Sequence, residues 1–350
     1  ISIREVSMKT YTDVVPGNDR GLSNGTVRSL YRQSPDSIWI GTDGGGINLF
    51  SPHTEKFTHY SSTWGDKVAF ISGFTPGKLL ISLFSKGVFV FNPATGEKQP
   101  FTIIDKETTT RLCNRGKSVN LYQNTPNTVL FLGDHIYQYH LKEKKFSTIT
   151  EEEGKDIVGT LVPFDHQENL TYINDIKHIY ELDDQTSRLK TVFECYTDTV
   201  ISSVSHDEQG HFWIGSNFGL IHYDPVLKSR TLVPTNLFTE INMVLCDQKG
   251  KVWIGVDNML FAYFIKEQKF VLFGESNGAI QNEYLPNARL VNEQGDAYIG
   301  GVKGMLRIDG QLLLNTSEMP ELQLLDITIN GESANHESVS YTHLTLPTKA

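Results

Sequence analysis

The sequence predicts an all-β fold, a seven-bladed β-propeller of four-stranded antiparallel blades. Three observations predict it: one short strand recurs seven times, each repeat reads as four strands, and a strand missing from the last repeat is present at the N-terminus. A fixed period of this kind marks an array of identical supersecondary units, each burying its apolar faces against its neighbours.

The recurring strand is clearest as Ile38-Trp39-Ile40-Gly41-Thr42, Phe212-Trp213-Ile214-Gly215-Ser216 and Val252-Trp253-Ile254-Gly255-Val256, with Ala297-Tyr298-Ile299-Gly300-Gly301 as a variant. Weaker copies are Leu79-Leu80-Ile81-Ser82, Leu130-Phe131-Leu132-Gly133 and Thr171-Tyr172-Ile173-Asn174. The marker position therefore falls at residues 39, 80, 131, 172, 213, 253 and 298. A large residue at this point packs between neighbouring sheets, and the glycine beside it permits close backbone approach. Trp39, Trp213 and Trp253 are thus expected in the core, where truncation costs about 3 to 5 kcal/mol.

The fifth repeat shows the four strands best: Thr199 to Ser205, the Trp213 strand, Gly219 to Tyr223, and Lys228 to Val233. Its first turn, Asp207-Glu208-Gln209-Gly210, has counterparts in Asp247-Gln248-Lys249-Gly250 and Asn292-Glu293-Gln294-Gly295. The closing glycine suits a positive φ, and the acidic residues are too sparse for a calcium loop. The seventh repeat has three strands, ending near Ile308. Ser7 to Val14 sits where a fourth strand normally does, so it is expected to complete blade seven and latch the ring, removing an open edge.

Composition narrows the function classes. With 31 basic against 41 acidic residues the formal charge is -10, so the chain lacks the basic stripe that binding nucleic acid requires. The longest apolar run, Met259 to Ile265, is too short to cross a bilayer, and no membrane span is expected within these residues. The first residues, Ile1-Ser2-Ile3, carry no signal-type segment, so targeting information is either removed or outside this piece. Cys113, Cys195 and Cys246 are far apart and form no metal-ligand spacing; they read as small buried or semi-buried hydrophobes.

Leu22-Ser23-Asn24-Gly25-Thr26-Val27, the Trp-Ile-Gly-Thr strand and Gly46-Ile47 resemble the two-component regulator propeller repeat. The likeness covers residues 7–310 and is strongest in blades one, five, six and seven. Asn282-Glu283-Tyr284 with Tyr298 to Gly301 and Gly304 resembles the family's last repeat. Pro320 to Gly331, carrying Leu322, Leu324, Ile327 and Ile329, resembles the first strand of the immunoglobulin-like triple-tyrosine domain that follows. The resemblance implies a periplasmic sensor region of a Bacteroides-type hybrid two-component system, anchored in the membrane, with a preceding propeller and a homodimeric assembly. The expected organisation is a propeller over 7–314, the start of a triple-tyrosine domain over 318–337, and a tail over 338–350 that does not continue that domain.

Three functions follow as alternatives. The first is a ligand-sensing ectodomain, which the resemblance implies answers to oligosaccharides and needs no cofactor. The second is a propeller glycosidase or lyase, for which Asp43, Asp134, Asp175 and Asp257 all follow a marker strand and could face one another across the channel. That spacing also arises automatically from the repeat, so a solvated turn is the commoner explanation of these aspartates, and no catalytic or zinc signature stands out. The third is a protein-interaction propeller. The candidate ligand-binding residues are Trp64, in the connection from blade one to two, and Arg111, Asn114 and Arg115 in the long connection that follows blade two. Asp43 and Asp257 share their face. An aromatic platform with guanidinium donors suits a sugar. His135, His178 and His222 are expected on third strands as surface or packed residues, and no metal ligand is expected among them.

Overall fold

The computed structural model describes residues 8–15, 17–60, 67–101, 119–133, 135–150, 161–167, 169–311, 328–329 and 332–333. The chain divides into two compact units, Ile1–Leu312 and Leu313–Ala350. In the second, Thr328–Ile329 pairs antiparallel with Glu332–Ser333, flanking Asn330-Gly331.

The first unit is a ring of seven four-stranded sheets. It opens with β1 (Met8–Tyr11). Blade one is β2 (Val27–Ser34), β3 (Ser37–Thr42), β4 (Ile47–Ser51) and β5 (Lys56–Tyr60). Blade two is β6 (Val68–Gly73), β7 (Leu79–Leu83), β8 (Gly87–Asn92) and β9 (Glu97–Pro100). Blade three is β10 (Asn120–Thr125), β11 (Thr128–Leu132), β12 (Ile136–His140) and β13 (Lys145–Ile149). Blade four is β14 (Val162–Gln167), β15 (Leu170–Asn174), β16 (His178–Asp183) and β17 (Arg188–Glu194). Blade five is β18 (Ile201–His206), β19 (Phe212–Ser216), β20 (Gly219–Asp224) and β21 (Ser229–Leu232). Blade six is β22 (Met243–Cys246), β23 (Lys251–Val256), β24 (Met259–Phe264) and β25 (Lys269–Phe273). Blade seven is β26 (Tyr284–Val291), β27 (Ala297–Gly301) and β28 (Gly304–Ile308), completed by β1.

Burial peaks at the second strand of each blade and falls outward from it, which explains the pattern of the sequence. The second strand of each blade lies between two neighbouring sheets, so both of its faces are covered and it reads as a continuous apolar run; β19 and β23 are buried throughout. Outer strands such as β21 are exposed and polar. All seven marker residues fall on second strands, and Trp39, Trp213 and Trp253 are buried. The glycine two places on is required by its neighbour blade. A Cβ at Gly41 would stand 2.8 Å from Val68 of blade two, and one at Gly300 would stand 2.5 Å from Val27 of blade one.

The turn before the marker fixes its indole. Asp207 Oδ1 accepts the backbone N–H groups of Gln209 and His211, while Oδ2 accepts the Trp213 indole N–H at 2.8 Å. Gln33 accepts the Trp39 indole N–H at the same distance. Gly210, Gly250 and Gly295 close these turns at φ of 87°, 82° and 87°. In blade six the carboxylate of Asp247 instead meets Lys251 Nζ at 2.9 Å.

The ring closes as a continuous structure. β1 pairs antiparallel with β28, Met8 opposite Ile308 and Tyr11 opposite Met305. Tyr11 is buried against Phe50 and Phe57 of blade one, and its hydroxyl donates to Glu55 at 3.1 Å. Lys9 pairs with the same glutamate, and Thr10 donates to the Gly278 carbonyl at 2.9 Å. One short strand therefore touches blade one, blade seven and the connection entering blade seven.

Candidate functional site

Two ends of the ring are available for binding. At one end lie the turns between second and third strands together with the connections between blades. Their proximity is shown by the bridge between Asp43 and Lys67 and by the Ile201 N–H donating to the Ile176 carbonyl. At the other end lie the turns between first and second strands.

Of the residues singled out by the sequence, Asp43, Asp175 and Asp257 are described at the first end, and the first two are committed to local bonds. Asp43 receives Arg28 through Nε at 2.9 Å and Nη2 at 2.5 Å, and Lys67 stands at 3.2 Å. Partial burial raises its pKa, but the bonds from Arg28 and Lys67 outweigh this and hold the carboxyl below its usual range. Asp175 is fully buried: Oδ1 accepts the N–H groups of Lys177 and His178, and Oδ2 accepts the Tyr180 hydroxyl at 2.8 Å. It is a turn former, not a carboxylate facing the channel. Asp257 is exposed in the corresponding turn of blade six, with φ of 49°. Nothing brings Asp43 and Asp257 into contact. Asp134, Trp64, Arg111, Asn114 and Arg115 lie outside the described residues. The same face exposes Phe84, Ile176 and Phe218 at the turns of blades two, four and five, beside Val200 and Leu237 in the connections. His178 and His222 lie on third strands as expected, whereas His135 precedes β12.

Along the inner strands, reaching the second end at Gln248 and Asn292, blade seven makes a cavity. Pro286 has no N–H to give to a ladder, and the register jumps between Tyr284, opposite Gly301, and Arg289, opposite Ile299. Residues 285–288 bulge, and bulges re-aim the side chains they carry. The Arg289 guanidinium consequently reaches across blade six and donates through Nη2 to the Val204 carbonyl of blade five. With Asn287, His206, Cys246 and Gln248 it lines a cavity of about 310 Å³. Asn287 Oδ1 is buried and has no hydrogen-bond partner among the described residues.

A guanidinium, an amide oxygen and an imidazole can order hydroxyl or anionic groups. Full burial pushes the Cys246 thiol well above its ordinary range, which disfavours the reactive thiolate. Cys195 is likewise pushed up by burial, to about 11. Sequence reasoning missed this cavity; a proline inside a strand pattern was the available signal.

Fold and topology together define a seven-bladed propeller closed by its N-terminal strand. No protein-family profile and no curated protein matches the chain. Among solved structures it is similar to one described as the extracellular domain of the hybrid two-component system BT3049 from B. thetaiotaomicron. That match has a TM-score of 0.68 and 18% identity, and covers 93% of this chain and 45% of that one. The extracellular domain of the system BT4673 from the same organism matches with a TM-score of 0.64 and 15% identity, over 86% of this chain and 40% of that one. The WD40 propeller domain of Doa1 matches with a TM-score of 0.59 and 13% identity, over 87% of this chain and 98% of that one. The chain spans less than half the length of the two sensor ectodomains.

Proposed function

We propose that this chain is the ligand-binding propeller of a periplasmic, membrane-anchored two-component sensor, that its ligand is an oligosaccharide, and that it performs no chemistry on it. The carrying observation is the channel-end cavity, where a bulge presents Arg289 and the unpartnered amide oxygen of Asn287 beside a thiol whose reactive form burial disfavours. The likeness to two sensor ectodomains supports the same reading, as does the commitment of Asp43 and Asp175 to local bonds.

In this reading a preceding propeller, a following triple-tyrosine domain and a second copy of the chain complete the receptor. A ligand acts by favouring one arrangement of the paired ectodomains over another, which is all that a binding free energy can do to an attached kinase. Calorimetric titration with neutral and acidic oligosaccharides tests it. Arg289→Gln is expected to weaken binding at least about tenfold, the loss of one charge-assisted hydrogen bond, and Asn287→Ala by about two- to tenfold, the loss of a neutral one. Loss of binding in Trp64→Ala and Arg111→Ala with none in the Asn287 and Arg289 variants moves the seat to the opposite end. Time-dependent cleavage of any glycan by the pure chain would refute the non-enzymatic reading.

A further inference from the structure

A cluster apart from that cavity joins a turn aspartate of the repeat to two histidines. In blade five, His211 closes the turn from β18 to β19 and His222 lies on β20, directly opposite Trp213 in the ladder. Their rings meet: His222 Nε2 stands 3.1 Å from His211 Nδ1. Asp207 Oδ2 lies 3.8 Å from the same His211 nitrogen, and the three atoms fall within 4.8 Å of one another. On the far side of the His211 ring, Nε2 faces Asp224 Oδ2 at 3.6 Å.

We propose that Asp207 Oδ2, His211 Nδ1 and His222 Nε2 form a binding site for one divalent transition cation of the zinc class, with Asp224 positioning His211. Donors around a tetrahedral cation with bonds of about 2.0 Å stand about 3.3 Å apart, and the two separations from His211 Nδ1, 3.1 and 3.8 Å, bracket that edge. Two imidazoles with a single carboxylate select zinc, copper or nickel over calcium or magnesium, which require oxygen donors.

The surroundings are those of a prepared ligand set. Asp207 is held by two backbone N–H groups and the Trp213 indole, so it is oriented without the cation. Asp224 is fixed by the N–H groups of Val226 and Leu227 at 2.8 and 2.9 Å, which leaves its Oδ2 directed to His211. A carboxylate behind the non-ligating nitrogen fixes tautomer and ring orientation in metal sites generally. The fourth position is left for water or a ligand atom. A bound cation clips the first turn of blade five to its third strand. Spacing concealed the site, because His211 and His222 are joined by cross-strand register and not by sequence proximity.

The test is zinc chloride titration of the full chain, stripped with chelator, followed by calorimetry, alongside His211→Asn, His222→Asn and Asp224→Asn. The wild-type chain is expected to take up one tight equivalent, absent from both histidine variants, and Asp224→Asn is expected to weaken it by about 10- to 100-fold. Calcium at the same concentrations is expected not to compete. His211 sits in a partly exposed turn, so its variant carries the test if His222→Asn fails to fold. Cupric ion supplies a second readout, since Trp213 lies 4.5 Å from the His222 ring and its fluorescence is expected to quench stoichiometrically. Equal zinc uptake by wild type and His211→Asn overturns the proposal. So does the absence of a tight phase in the wild type, which leaves the two rings as a hydrogen-bonded pair.

Discussion

Replacing Lys251 by Met isolates a buried charge and tests how the turns before the marker strands are stabilised. Lys251 and Asp247 are 4% and 1% exposed, and their charged atoms meet at 2.9 Å. Asp247 also accepts the backbone N–H groups of Lys249 and Lys251, so its carboxylate cannot swing into water without unmaking the turn. Removing one partner of such a pair strands the other, at about 3 to 5 kcal/mol. One group can offset part of this. The Trp253 indole N–H has no partner among the described residues, and its counterpart Trp213 donates to the equivalent aspartate. A new bond to a charged acceptor returns about 1.5 to 3 kcal/mol, so from the middle of both ranges the net loss is expected to be about 2 kcal/mol. Urea unfolding measures it, with Lys251→Met, Lys251→Met/Trp253→Phe and Lys251→Met/Asp247→Asn compared. The second variant is expected to lose more than the first, and the third to recover most of the loss. If Lys251→Met unfolds at the wild-type midpoint, the pair contributes nothing and the reasoning fails.

The latch gives a second prediction: Tyr11→Ala is expected to cost about 3 to 5 kcal/mol, and deletion of residues 1–14 at least as much, read from chemical denaturation. An unchanged midpoint in the deletion would place the closing strand elsewhere. Alkaline stability follows from the tyrosines of the same region. Burial pushes Tyr298 up to about 12, and raises Tyr11 and Tyr284 further. An unfolded tyrosine ionises near about 10, so these groups stabilise fully below that pH and progressively less as pH rises above it. The melting temperature is therefore expected to fall steeply above about pH 10, and less steeply in Tyr298→Phe. At the acid side, Asp43 is held below its usual range by Arg28 and Lys67, so its contribution is present above the unfolded value and lost as pH falls through the folded one. Arg28→Gln is expected to flatten that acid limb, as measured by thermal melts across the carboxylate range.

The fold was legible because its determinants are local and repeated. Trp39, Trp213 and Trp253 declare second strands, the glycines beside Ile40, Ile214 and Ile254 declare the close approach of the next blade, and Lys9-Thr10-Tyr11 declares an outer strand with no blade of its own. The sites were less legible because they depend on register. Asp43 and Asp175 look alike after their marker strands, yet one forms ion pairs across a connection and the other is buried under its own turn. Pro286 signals an irregular strand, but no pattern tells that Arg289 then points at Val204 of blade five. His211 and His222 become neighbours only through the pairing of β19 with β20.

The closing strand also dictates an order of events. Met8 and Ile308 are paired although they lie 300 positions apart, so no earlier blade can recruit β1 to its proper place. Closing a flexible loop of that length costs about 5 kcal/mol, and the cost falls once six blades have stacked and carry the two ends together. During synthesis β1 must therefore wait as an unpaired edge until the last blade of its own ring emerges. Lys9 makes it a charged edge and a poor template for pairing with another chain. The polar face of β1 thus protects the nascent chain during the interval in which its apolar face has nowhere to go.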